Sequence, residues 1–166
     1  MKTFKKSVSI LFLSILFLSI LLVSCSTNDE DSLTGDDFFT AKVDGVDWSA
    51  FVGTPDTVAW SEAHQGIIVI QGSDENGTAI TMNILNYTGA GTYDFTTAGF
   101  IQYVISPLQA NSGAWACDAN SGTTGSVEIT SDDGTIIEGT VSFVGKNPSD
   151  SSTKTITLGD FRATKE

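Results

Sequence analysis

Few side chains of this 166-residue chain are suited to covalent or metal chemistry. The chain has two cysteines, Cys25 and Cys117, one histidine, His64, and twenty acidic residues against eight basic ones. Cys25 stands where an apolar run ends and an acidic run begins, in the stretch ILLVSCSTNDED. Three roles are open to its thiol: a buried core side chain, half of a disulfide with Cys117, or the attachment point of a group that is not protein.

The first 24 residues have the layout of a secretory signal peptide. A basic start, MKTFKK, precedes an apolar run from Val8 to Val23. As a helix, this run is shorter than the ~20 predominantly apolar residues that cross a bilayer. The lysines favour retention of the start in the cytoplasm and export of the chain beyond the apolar run. We therefore predict a helical signal peptide over 1–24, cleaved from the mature protein.

The string LVSC that ends this segment resembles the lipobox of bacterial lipoproteins. The resemblance implies that Cys25 carries a diacylglyceryl group on its sulfur, with cleavage between Ser24 and Cys25 and acylation of the new amino group. Two or three acyl chains hold a protein stably on a membrane, whereas one chain binds marginally. The alternatives are an uncleaved signal anchor and a signal cut elsewhere. We expect a membrane anchor at Cys25.

The segment 25–37 is predicted to be a flexible acidic tether, because its polar residues bury too little apolar area to order themselves. Its cluster TNDEDS resembles the surface-export signal of Bacteroidetes-type lipoproteins. That resemblance implies an outer-membrane location with surface exposure favoured over the periplasmic side. A plain solvated linker is the alternative.

The charge of the mature chain limits its partners. Without residues 1–24, five basic residues face twenty acidic ones, a formal charge of −15. Phosphate backbones would repel such a domain, so we expect no nucleic-acid binding. A basic patch for anionic lipids is equally unexpected.

From residue 38 onward apolar residues recur with a period of two, and turn dipeptides separate them. In FFTAKVDGVDWSAF, Asp44-Gly45 predicts a two-residue type I′ turn. Folding about it pairs Ala41 with Trp48 on an apolar face, and Lys42 with Asp47 on the polar face. Trp48 is therefore predicted to lie in the core.

The rest of the chain is predicted as further short strands, about ten in all, with no helical segment. They read TVAWS, GIIVIQG (a central strand), TAITMNIL, TGAGTYDF, GFIQYVIS, GAWAC, GSVEIT, TIIEGTVSFVG and KTITLGDFRA. In the last strand we expect Ile156 and Leu158 to share a face and a bulge at Gly159-Asp160 to return Phe161 to the core. The prediction is a single all-β domain over 38–166, an antiparallel sandwich or barrel-like domain. Neighbours in sequence are expected to be neighbours in space, which favours a barrel-like domain or a strongly twisted sandwich.

Four stretches spread over nearly all of the mature chain resemble a family of uncharacterised Bacteroidetes-type outer-membrane lipoproteins. They are FTAKVDGVDWSA, GTYDF, CD…SGTTGSVEITSDDGTIIEGTVSF and ITLGDFRA. The resemblance implies a lipid-anchored, β-rich domain of unassigned activity. It implies no catalytic residues.

Metal and cofactor sites are not expected. Zinc sites usually need three or four Cys, His or acidic ligands, and His64 and Cys117 are too few. The turns DENG at 74–77 and SDDG at 131–134 are rich in oxygen ligands but lack the spacing of a calcium loop. Asp, Asn and Gly also suit tight turns for backbone reasons, which is the favoured interpretation; calcium is the alternative.

No catalytic residues are predicted. A serine triad would have to use His64, and the sequence has no GxSxG elbow. A pair of carboxylates stays open as a hydrolase alternative, given the twenty acids. Trp60, Tyr87, Tyr103 and Trp115 could either fill the core or present rings for a sugar or a protein. Cys117 is expected to be a buried, inert thiol rather than an intermolecular disulfide.

These features together predict a lipid-anchored cell-envelope domain that is not an enzyme. Its expected role is a binding or structural module for a glycan or an envelope protein. Two alternatives are a calycin-like barrel for a small apolar ligand and a carboxylate-dependent hydrolase.

Overall fold

The computed structural model describes residues 37–50, 57–62 and 66–165. Within these ranges the chain forms eleven strands and no helix, and therefore no helix able to span a membrane. The strands are β1 (Phe38–Val43), β2 (Val46–Ser49), β3 (Thr57–Glu62), β4 (Ile67–Ser73), β5 (Thr78–Ile84), β6 (Gly91–Asp94), β7 (Gly99–Ile105), β8 (Gly113–Cys117), β9 (Gly125–Asp132), β10 (Ile136–Lys146) and β11 (Thr153–Thr164). The all-β prediction is confirmed. Ser24, Cys25 and His64 lie outside the described residues.

The strands form one antiparallel sheet that curls into a half-barrel. Its main path runs β2-β1-β11-β10-β8-β7-β5-β4-β3, with β9 paired to β10 and β6 paired to β9. Most strands that are neighbours in sequence pair with each other, as expected, but there are exceptions. β5 pairs with β7 rather than β6, and β1 pairs with β11 at the other end of the chain. β6, which follows a glycine-rich bend, leaves the path of its neighbours and pairs with β9.

The long strand β10 is the branch point of the sheet. Along one edge it pairs with β11 from Ile136 to Lys146. Along its other edge it pairs first with β9, from Ile137 to Phe143, and then with β8, where Lys146 lies opposite Ala116. β10 thus connects β11, on one side of the sheet, with β9 and β8, on the other.

The first hairpin forms as predicted. Ala41 lies opposite Trp48 and Lys42 opposite Asp47, with an ion pair between the latter two. Asp44 and Gly45 both have positive φ, 51° and 83°, as a type I′ turn requires. The Asp44 carboxylate also accepts hydrogen bonds from Lys154 Nζ at 2.7 Å and from the Thr155 amide at 2.8 Å. These two bonds, with burial acting weakly against them, hold the pKa of Asp44 below its usual value.

The inner face of the curled sheet holds the core. Trp48 is 9% exposed, as predicted, and its indole Nε1 donates a 2.7 Å hydrogen bond to Thr78 Oγ1 of β5. This bond joins the β2 end of the path to a strand on the far side of the core. The largest fully buried side chains are Phe39, Phe95, Phe161, Ile68, Ile70, Ile80, Met82, Ile84, Ile101, Ile129, Ile137 and Ile156.

Strand β11 contains a bulge, but not where the sequence predicted it. Val141 of β10 pairs with Gly159 and Phe143 pairs with Ile156, so Thr157 and Leu158 together oppose one residue. Leu158 has φ of 51° and is 73% exposed, which corrects the expectation that it shares a face with buried Ile156. The bulge does return Phe161 to the core, where it is fully buried. The physical reason is the left-handed backbone at Leu158, which turns that side chain outward.

Candidate functional site

A row of polar side chains crosses six strands on the outer face of the sheet. Backbone pairing places them side by side, in the order Thr92, Glu128, Thr140, Asp160, Thr40 and Ser49, and every one is exposed. We call these six residues the polar row. Since neighbouring strands lie about 4.8 Å apart, the row extends over roughly 24 Å. It presents four hydroxyl groups and two carboxylates to solvent.

Two shallow grooves, both open to solvent, lie along this face. The first, the polar groove, has a volume of about 660 Å³. It is lined by Thr92, Ser126, Glu128, Thr140, Val141, Ser142, Thr157, Leu158, Gly159 and Asp160. The second, the β1–β2 groove, has a volume of about 390 Å³ and is lined by Thr40, Ala41, Lys42, Asp47, Trp48, Ser49 and Leu158.

Leu158 is the one residue that lines both grooves. Its exposed side chain therefore stands as an apolar ridge between two polar depressions. The neighbouring Gly159 faces the opposite way, and a Cβ there would meet Val141 Cγ1 at 2.5 Å and the Val141 carbonyl oxygen at 2.6 Å. The close approach of β10 and β11 at Gly159 holds the bulge in place.

The charges of the outer face are mostly negative. Two of its cations are matched by an acid, Lys42 by Asp47 and Arg162 by Glu138. Glu128 and Asp160 have no ion-pair partner within the part of the chain that the structure describes. They lie on either side of Thr140, with one strand between them.

Apart from Trp60, the aromatic residues named from the sequence fall on the inner side of the sheet or in a cluster at one edge. Trp115 and Tyr103 are buried, with ring centroids 6.2 Å apart. The Trp115 indole donates a 2.9 Å hydrogen bond to Ser152 Oγ. Among residues 66–165 and 37–50, no aromatic side chain is among the exposed large hydrophobic ones, which are Val46, Leu85, Leu108 and Leu158. The side chain of Trp60 is outside the described part.

A second polar cluster joins three distant segments at one edge. The Tyr87 hydroxyl donates a 2.6 Å hydrogen bond to Asp132 Oδ2, and Lys165 forms an ion pair with Asp132. The Lys165 ammonium also lies 5.7 Å from the centre of the Tyr87 ring, and Tyr93 stacks on Tyr87. We call Tyr87, Asp132 and Lys165 the edge clasp. Its members cross-link the β5–β6 connection, the β9–β10 turn and the C-terminal end of the sheet.

Cys117 is fully buried on β8, as expected, and forms no disulfide within the described part of the chain. Burial raises the pKa of its thiol, although nearby hydroxyl groups of Thr123 and Ser121 act in the opposite direction. A buried, protonated thiol is a poor nucleophile.

The two acidic turns use their carboxylates to hold their own backbone. Asp74 Oδ1 accepts from the amides of Asn76 at 2.9 Å and Thr78 at 2.7 Å. Asp133 Oδ1 accepts from the amides of Thr135 at 2.8 Å and Ile136 at 2.7 Å. Among the residues with described positions, no group of three or more His, Cys, Asp or Glu side chains could hold a metal ion.

Sequence reasoning did not identify the polar row, Leu158 or the edge clasp as a site. The row depends on the pairings of β6 with β9, β10 with β11 and β11 with β1, of which period-two patterning leaves the first and last open. One sequence signal did indicate the bulge. The period-two pattern is broken between Ile156 and Phe161, which predicts a bulge but not which side chain it exposes to solvent. No protein-family model matches the chain, and no curated protein or solved structure shows significant similarity to it.

Proposed function

We propose that this protein is a lipid-anchored domain of the outer membrane, displayed on the cell surface, that binds an envelope protein without catalysing a reaction. The anchor is Cys25, released at its amino group by cleavage after Ser24, and residues 26–37 tether the domain. The binding role is supported by the composition of the outer face. The polar row and the two grooves present hydrogen-bonding groups over a continuous surface, and exposed Leu158 adds an apolar side chain to it.

A protein partner is favoured over a glycan by the placement of the aromatic rings. Sugar recognition commonly uses an exposed ring that stacks on the sugar face, since the ring offers a flat apolar surface. On the described strands the named rings of Trp48, Tyr103 and Trp115 face the core instead. Hydroxyl groups and carboxylates beside an exposed leucine suit the mixed polar and apolar surface of a protein.

The two alternative functions have less support. A calycin-like barrel needs an enclosed apolar cavity, whereas the inner face is filled by Phe39, Phe95, Phe161 and other fully buried side chains. A carboxylate-dependent hydrolase could use Glu128 and Asp160, which share the polar groove. Both acids are exposed, while the acid catalyst of such enzymes is usually set in an apolar pocket.

The anchor is tested by labelling cells with radioactive palmitate. We expect label on the wild-type chain and none on Cys25→Ala, and an equal label on both would contradict the anchor. Protease treatment of intact cells tests surface display, since a periplasmic domain would survive until the outer membrane is opened.

The binding face is tested by photo-crosslinking in cells. A photo-reactive phenylalanine analogue at Thr140, in the centre of the polar row, should give a discrete crosslinked envelope protein. The same analogue at Ser149, which is exposed in the β10–β11 loop, is the matched control. Equal products at both positions, or none at Thr140, would contradict the proposed face.

A further inference from the structure

We infer that Leu158 is the apolar anchor through which the outer face binds a positively charged protein surface, one with an apolar pocket that accepts the leucine. This inference rests on the proposed binding function and names the chemistry of its partner.

Leu158 is an extra residue in its strand. From Ile156 to Ala163 the inward side chains are Ile156, Gly159, Phe161 and Ala163, and the outward ones between them include Thr157 and Leu158 in succession. If Leu158 were absent, this pattern would alternate regularly and every other side chain would keep its face. The core of the domain therefore does not require Leu158.

The residue type at this position is also unfavourable for the fold. Leu158 has φ of 51°, a left-handed conformation that glycine or asparagine adopts far more readily than leucine. At 73% exposure the side chain gains little from burial within the domain. A strained, apolar and exposed residue at the centre of a polar face is the pattern expected of a contact residue.

The surroundings of Leu158 specify the charge of the partner. The polar groove on one side holds Glu128 and Asp160, which have no ion-pair partner among the residues placed by the structure. The β1–β2 groove on the other side holds Lys42, already paired with Asp47. A partner with lysine or arginine beside an apolar pocket, on the side that meets the polar groove, would complement this face.

A second copy of the same chain does not meet this requirement. The mature chain carries twenty acidic residues against five basic ones, so two outer faces would bring like charges together. The occupant is therefore a different, basic protein surface.

The test uses random peptides displayed on phage and selected against the full-length chain in detergent micelles. We expect enriched peptides that combine basic residues with an aliphatic or aromatic residue, and whose affinity falls as salt is raised. Leu158→Asn, which suits the left-handed backbone, should weaken their binding by about tenfold or more. It should leave the melting temperature unchanged or higher, so that a loss of binding is not a loss of folding.

Leu108→Asn is the matched control, because Leu108 is 95% exposed but lies in the β7–β8 loop. It should leave peptide binding unchanged. Enriched peptides that are acidic, or binding that is equal in Leu158→Asn and the wild type, would overturn the inference. A dimer of the full-length chain in sedimentation that Leu158→Asn dissolves would also overturn it, in favour of a second copy.

Failure of this inference is distinguishable from failure of the proposed function. If only the inference fails, peptides and the crosslink at Thr140 still mark the outer face but are insensitive to Leu158→Asn. If no peptide is enriched and no crosslink forms at Thr140, both are wrong.

Discussion

The Tyr87 hydroxyl and the Asp132 carboxylate are joined by a 2.6 Å hydrogen bond across 45 residues of sequence. Asp132 is 12% exposed at its side chain and also pairs with Lys165, which is 13% exposed. Burial alone would raise the pKa of Asp132, but the hydrogen bonds from Lys165, Tyr87 and the Gly134 amide outweigh it and hold the pKa below its usual value. The edge clasp therefore makes folding stability depend on pH.

The first prediction is that Asp132→Asn destabilises the domain in a pH-dependent way. Because the folded pKa of Asp132 lies below the unfolded value near 3.8, its stabilisation is full above that pH and is lost as the pH falls through the folded pKa. We expect a loss of about 2 kcal/mol in the free energy of unfolding at neutral pH, shrinking towards zero in strong acid. Urea denaturation at a series of pH values measures it. Glu75→Gln, at an exposed turn residue, is the control, and an equally pH-dependent loss there would contradict the assignment.

The second prediction concerns ionisation of Tyr87. Burial, reinforced by the hydrogen bond to ionised Asp132, raises the pKa of Tyr87 far above its usual value. A group with a raised pKa keeps its stabilising effect below the unfolded pKa and loses it only as the pH rises through the folded one. In a pH titration of the folded protein, Tyr87→Phe should therefore leave the change in tyrosine absorbance around pH 10 unchanged. Because it removes the hydrogen bond to Asp132, it should also lower the free energy of unfolding by about 1–2 kcal/mol. Disappearance of one step from the titration of the folded protein would contradict this.

The features that sequence could predict are those set by neighbouring residues. The Asp44-Gly45 turn and the pairing of Ala41 with Trp48 result from turn chemistry and a period of two, and both are confirmed.

The features that sequence could not predict depend on long-range pairing. The edge clasp includes Tyr87 because β6, which follows it, leaves β5 and joins β9, the strand that ends at Asp132. The bulge was expected at Gly159-Asp160 because Phe161 and Ala163 are out of phase with Ile156 and Leu158 in a period of two. The structure instead places the positive φ at Leu158, against its intrinsic preference, since Gly159 is needed where β11 approaches Val141.

A third prediction concerns the hydrogen bond between Trp48 Nε1 and Thr78 Oγ1, which connects β2 with β5. Trp48→Phe removes ring volume as well as the hydrogen-bond donor, so the effect of this single change overstates the contribution of the hydrogen bond to stability. A double-mutant cycle with Thr78→Val isolates it, and we expect a coupling of about 1 kcal/mol in the free energy of unfolding. Strictly additive effects would show that the bond contributes nothing to stability.

A fourth prediction separates the strain at Leu158 from its exposure. Leu158→Gly should raise the free energy of unfolding by about 1 kcal/mol, because glycine adopts the left-handed conformation without steric cost. The same change at Leu108, which lacks a positive φ, should lower stability slightly through the flexibility of glycine in the unfolded chain. Thermal denaturation of both variants measures the difference, and a decrease of equal size in both would contradict strain at Leu158.

A fifth prediction concerns Gly159. A methyl group there would contact Val141 Cγ1 and its carbonyl oxygen well inside van der Waals distance, so Gly159→Ala must push β10 and β11 apart. We expect a loss of about 1–3 kcal/mol. Gly45→Ala is a useful contrast, since a Cβ there meets nothing within 4 Å and any loss comes from the positive φ alone. Partial rescue of Gly159→Ala by Val141→Ala would identify the steric contact as the cause.

The pairing of β10 along both of its edges has a consequence for local unfolding of the domain. The eleven residues of β10 hydrogen-bond to β11 along one edge and to β9 and β8 along the other. Neither β11 nor the β9 and β8 side can therefore separate from the sheet without breaking hydrogen bonds of this strand. Thermal fluctuations that release the short outer strands β2 or β6 leave it intact. Amide protons of β10, such as those of Val141 and Phe143, can then exchange with solvent only when the whole domain unfolds. Their exchange rates would report the global free energy of unfolding directly.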